Sequence, residues 1–137
     1  MKRRVVVDAN RIFSELISPR GRFLRPSSVD EVELACPKYV MVELFKHKER
    51  IAEASGLDAD SLLELLRTVL EQITFHDEES ISIGSWAEAW RLCREVDEDD
   101  IAYVALTLEI DGELWTGDQE LETGLRKKGF ARFFKPG

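Results

Sequence analysis

Apolar residues along the chain follow two spacings, and the spacing assigns the elements. Arg4-Val5-Val6-Val7 is a β-branched run with no polar face, the pattern of a strand covered on both sides in a parallel sheet, and it stops at Asp8. Ile12, Phe13, Leu16 and Ile17 recur at helical spacing, which predicts a helix over 11–17 capped by Asn10. Pro19, Gly21 and Pro26 mark an irregular connection. A second strand is expected over 32–35, and Pro37 is placed to open a helix over 38–54 that ends at Gly56. Asp58 or Asp60 caps the next helix, whose Leu62, Leu63, Leu65, Leu66, Val69 and Leu70 are dense enough for it to be largely buried.

The second half continues the alternation. A strand is predicted over 73–75, and a helix over 85–95 from the spacing of Trp86, Ala87, Trp90 and Cys93. Asp99 or Asp100 caps a further helix through Ile110, with Tyr103, Val104, Leu106 and Leu108 toward the core, and Asp111-Gly112 turns the chain. A strand over 113–116, a helix over 119–128 ended by Gly129, and a last strand over 130–134 complete it. Strands alternating with helices predict one α/β domain over residues 1–137: a three-layer α/β/α arrangement around a central, mainly parallel sheet.

Composition narrows the class. With 44% hydrophobic residues in 137, the chain can bury a core without staples. No apolar run approaches the roughly 20 residues of a membrane helix, and no signal-peptide core follows the basic Met1-Lys2-Arg3-Arg4. Cytoplasmic residence without a membrane partner is expected. Cys36 and Cys93 have neither a zinc spacing nor a disulfide framework. Nineteen Lys and Arg against 27 Asp and Glu give a net charge of −8, so the chain lacks the global positive field of a nonspecific nucleic-acid binder. Basic clusters exist at Lys46-His47-Lys48-Glu49-Arg50, at Arg126-Lys127-Lys128 with Arg132 and Lys135, and at Arg20, Arg22 and Arg25. Solvated faces and complements to helix dipoles account for each.

Candidate chemistry lies with the acids. Ligands of open α/β sheets bind beyond the carboxyl ends of the strands, where both Asp8 and Asp118 fall. Two carboxylates on one edge repel each other unless a cation or proton sits between them. Asp97-Glu98-Asp99-Asp100 opens a helix with more negative charge than one cap requires, and Glu43 interrupts the apolar run Tyr39-Val40-Met41-Val42-Glu43-Leu44-Phe45. No GxxxxGK[ST], no GxGxxG and no nucleophile with an activating His is present.

These residues carry a resemblance. Val6-Val7-Asp8-Ala9-Asn10, Tyr39-Val40-Met41-Val42-Glu43-Leu44, Asp97-Glu98-Asp99-Asp100-Ile101-Ala102-Tyr103-Val104-Ala105-Leu106 and Leu114-Trp115-Thr116-Gly117-Asp118 resemble, in order, the motifs of the PIN-domain family. The resemblance implies a PIN-like fold and a metal-dependent endoribonuclease hydrolysing RNA through an acidic Mg²⁺ or Mn²⁺ site. Matched residue by residue, the motif acids are Asp8, Glu43, Asp100 and Asp118, with Asp97 also available in the third motif. Asp8, Asp100 and Asp118 are then metal ligands, Glu43 a ligand or the group orienting the attacking water, and Asn10 and Thr116 hydrogen-bonding supports. A small PIN chain further implies the toxin of a toxin–antitoxin pair with an antitoxin protein as partner. Pairing is common in such toxins, and the Trp86/Trp90 stripe with the Leu-rich helix 60–70 suggests a homodimer. Two other readings compete: a noncatalytic PIN-like binding protein, and an aspartate-based phosphotransfer enzyme, which needs a second Asp where Asn10 stands.

Overall fold

A computed structural model describes residues 3–17 and 32–135. The cluster at Arg20, Arg22 and Arg25 and the irregular connection around it lie outside the described residues. Strand β1 (Arg3–Val7) leads into α1 (Ala9–Ile17), and β2 (Val32–Pro37) is followed by α2 (Tyr39–Lys46), α3 (Lys48–Ser55) and α4 (Ala59–Leu70). Next come β3 (Ile73–His76), α5 (Ile83–Cys93), α6 (Ile101–Glu109), β4 (Glu113–Trp115) and α7 (Gln119–Lys127). The strands pair in the order β3-β2-β1-β4, all parallel.

Register explains the buried valines. Val5 pairs with Leu34 and Glu113, and Val6 with Ala35 and Leu114, so β1 is a central strand with both faces covered. Right-handed crossovers then place the helices. The chain runs outward from β1 to β3 through α1–α4, then returns across β1 to β4 through α5 and α6, which sets the two groups on opposite faces. Contacts agree: α1 packs with α2, α3 and α4, while α5 packs on α6, and α6 lies on β1, β2 and β4. This is the expected three-layer α/β/α architecture.

Several local expectations are corrected. Asp8, not Asn10, caps α1, because its Oδ1 accepts the Arg11 backbone N–H at 2.9 Å; Asn10 lies exposed in the first turn. The helix expected over 38–54 is two helices, and Pro37 ends β2 instead of opening it. The break falls at His47 (φ −107°, ψ 16°), whose ring meets Phe13 edge-on at 5.4 Å. There α2, resting on β2 and α1, gives way to α3, which runs along α1 and α4. Helix α4 is capped by Asp58 but is not largely buried: only Val69 is enclosed, and Leu63 is 62% exposed. The last strand reduces to a parallel bridge at Phe133, where Leu114 N–H donates to the Arg132 carbonyl (2.8 Å) and Phe134 N–H to the Leu114 carbonyl (2.9 Å). Its partner β4 is three residues long, too short to pair with five.

Candidate active site

Strand order reverses at β1, so a crevice opens beyond the carboxyl ends of β1 and β4. Asp8 follows β1 directly and Asp118 follows β4 by three residues, so the topology brings both to this crevice.

Asp8 is 1% exposed. Its Oδ1 is held by the Arg11 N–H, while Oδ2 is buried without a hydrogen-bond partner. Burial pushes its carboxyl up to about 6, against the Thr116 hydroxyl and Arg11 N–H, which favour the ionised form. Asp118 is half-buried and caps α7, its Oδ1 accepting the N–H groups of Glu120 (3.0 Å) and Leu121 (3.1 Å). The Thr116 hydroxyl accepts the Asp118 N–H at 3.0 Å, and the same side chain lies near enough to Asp8 to favour its ionised form.

Asp97 Oδ1 accepts the Asp99 N–H (2.9 Å) and caps a short 3₁₀ turn, Glu98–Asp100, that runs straight into α6. One carboxylate oxygen each from Asp97, Asp100 and Asp118 lie within 4.8 Å of one another. Asp100 is half-buried; burial first, then the charges of Asp97, Asp8 and Asp118, push its carboxyl up to about 8. Asp8 therefore adjoins this trio electrostatically.

Glu43 stands on α2, outside the trio. Its Oε1 accepts the hydroxyl of Tyr103, which is buried on α6. Partial burial raises the Glu43 pKa and Asp99 adds to it; the Tyr103 bond, His47 and Lys46 oppose. Cys36 lies nearby, its Sγ–H donating to the Val7 carbonyl at 3.0 Å, and burial with the charges of Asp8 and Glu43 holds the thiol protonated. Tyr103 and Cys36 were not legible as site neighbours, since each reads as core; the one signal for Tyr103 is its place three residues after Asp100 on the same helix. Asn10 is exposed and makes no hydrogen bond to the acids among the described residues.

A cleft of about 910 Å³ lies at the other end of the strands, beside Arg3, Arg4, Arg132, Asp111 and Glu113. Its guanidiniums are largely committed: Arg3 binds Glu113 through two nitrogens (2.8 and 2.9 Å), and Arg132 binds Asp111. That cleft offers little free charge to a ligand, and the chemistry concentrates at the acidic end.

Carboxylates gathered at the switch point of an open parallel sheet define a class of protein: α/β, with an all-oxygen site suited to hard divalent cations. The PIN domain profile matches residues 6–133, and the chain belongs to the PIN-domain family. No curated protein matches it. The family fold is of nuclease type, implies contact with nucleic acid and generally uses divalent metal. The site fits such an ion, since Asp8 Oδ2 is buried without a partner amid acids whose charges repel. No helix among the described residues is long and apolar enough to cross a membrane.

Proposed function

We propose that the chain is an endoribonuclease hydrolysing RNA phosphodiester bonds with Mg²⁺ or Mn²⁺, and that it serves as the toxin of a toxin–antitoxin pair. Asp8, Asp100 and Asp118, joined by Asp97, would hold the ion. Such an ion lowers the pKa of the attacking water and offsets the charge of the scissile phosphate. Glu43 orients that water, and Thr116 holds Asp8 and Asp118 in place. The observation carrying the reading is the buried Asp8 carboxylate with an unpartnered oxygen, set beside a trio of aspartates. An antitoxin protein and a second copy of the chain are the partners proposed. Trp90, 50% exposed on α5, supports the homodimer.

Cleavage of a single-stranded RNA by purified protein tests this. It should stop with a chelator and return with Mg²⁺ or Mn²⁺. Asp8→Asn keeps an oxygen for the Arg11 N–H and therefore the fold, yet removes one of the negative charges that would hold the ion; turnover should fall by about a hundredfold or more. Unchanged cleavage by folded Asp8→Asn removes the assignment. Divalent binding without cleavage leaves the noncatalytic reading.

A further inference from the structure

We propose that Tyr103 is a positioning residue for Glu43: its buried hydroxyl, donated from α6 to Oε1, fixes the acid on the α2 side of the crevice before substrate arrives. The proposal rests on the nuclease reading above and adds to it a residue that bears no charge.

Glu43 is half-buried on α2, and its side chain, with three rotatable bonds, has the Tyr103 hydroxyl as its one hydrogen-bond donor among the described residues. Tyr103, by contrast, is 1% exposed and lies on a rigid helix between Ile101 and Glu109. A phenol buried that deeply needs a partner, and here the partner is the acid that stands apart from the aspartate trio. Asp100, three residues earlier, is the N-cap of that helix, so one element and its cap carry both an acid of the trio and the hydroxyl that orients Glu43. Displacement of a positioned group by about 1 Å can cost about a hundredfold in rate, so this single bond can govern turnover without touching substrate. The competing account is that the bond only satisfies a buried phenol. It predicts a change in melting temperature and none in catalysis.

Tyr103→Phe removes the hydroxyl and keeps the ring. The experiment compares wild type, Tyr103→Phe, Glu43→Ala and the double variant. It measures Mn²⁺ affinity by calorimetry on the metal-free proteins, and kcat and KM on a fluorophore-quencher single-stranded RNA. Expected for Tyr103→Phe are a Kd for Mn²⁺ and a KM within twofold of wild type, with kcat lowered at least tenfold. In the Glu43→Ala background the same change should lower kcat no further, because the residue it positions is gone. A kcat within twofold of wild type overturns the proposal while leaving the nuclease reading intact, and so does a full tenfold loss in the Glu43→Ala background. Wild type that binds no Mn²⁺ and cleaves no RNA overturns both.

Discussion

Asp8 is buried and Asp100 half-buried beside other acids, and this has a thermodynamic consequence in the absence of metal. Their carboxyls are raised to about 6 and about 8, against an unfolded value near 4. A raised folded pKa means that the folded state binds more protons than the unfolded one between those values, so its contribution to stability is complete below about pH 4 and lost as pH rises through about 8. Metal-free protein should therefore melt progressively lower from about pH 4 to about pH 8. A divalent ion that binds only the folded state reverses the trend, adding about 2.7 kcal/mol at a hundredfold excess over its Kd. Asp100→Asn removes one of the repelling charges. In chelator at pH 8 it should melt above wild type, and on adding Mg²⁺ or Mn²⁺ it should gain less. Thermal melts of both proteins across pH, with and without ion, check this; equal metal shifts would show that the acids do not act as one site.

At the scale of elements, what was legible in the sequence was what short-range pattern determines. Val5-Val6-Val7 stopping at Asp8 marks a central strand and its carboxyl end, and Leu114-Trp115 before Gly117-Asp118 marks another, so the two aspartates of the crevice could be placed from pattern alone. The break at His47 could not, because no Gly or Pro signals it and Val40, Leu44 and Ile51 keep helical phase across it. It follows from the different surfaces on which α2 and α3 rest. The exposure of α4 was misread for a related reason: its leucines match the core spacing, but α4 is the last helix of its layer and meets the core along one stripe. Tyr103 reads as core and is core, apart from its hydroxyl. Close approach of β1 to the turn before β4 gives an element-scale prediction. A Cβ on Gly112 would lie 2.6 Å from the Arg4 carbonyl oxygen, a backbone atom of the central strand that has no room to yield. Gly112→Ala should destabilise by about 1–3 kcal/mol. Gly84→Ala, in α5 with the nearest atom at 4.0 Å, should instead stabilise, by at most about 1 kcal/mol. Denaturant unfolding of the pair checks the contrast; equal effects would mean that the β1–β4 approach is not tight.

For the molecule as a whole, a net charge of −8 constrains how it can meet a polyanion. At the amino ends of the strands Arg3 is tied to Glu113 and Arg132 to Asp111, and Arg126 and Lys135 are both tied to Glu122. Around the crevice the cations are few: Lys46, at the end of α2, bears on Glu43, and Arg11 on Asp8. RNA contact should then be local, involving about two or three phosphates, and the logarithm of the binding constant should fall with the logarithm of salt at a slope of about −1.4 to −2, since single strands contribute about 0.7 per phosphate. Glu43→Gln keeps all the aspartates and, on the proposed function, should slow cleavage, so its RNA binding can be titrated at several salt concentrations with Mg²⁺ present. Lys46→Ala added to it should make the slope shallower by about 0.7. A chelator should abolish the binding, because without the ion the crevice repels phosphate. Tight binding in chelator with a slope near −5 would instead place RNA on a basic face away from the aspartates, for a slope that steep requires about seven phosphate contacts and the crevice has cations for far fewer.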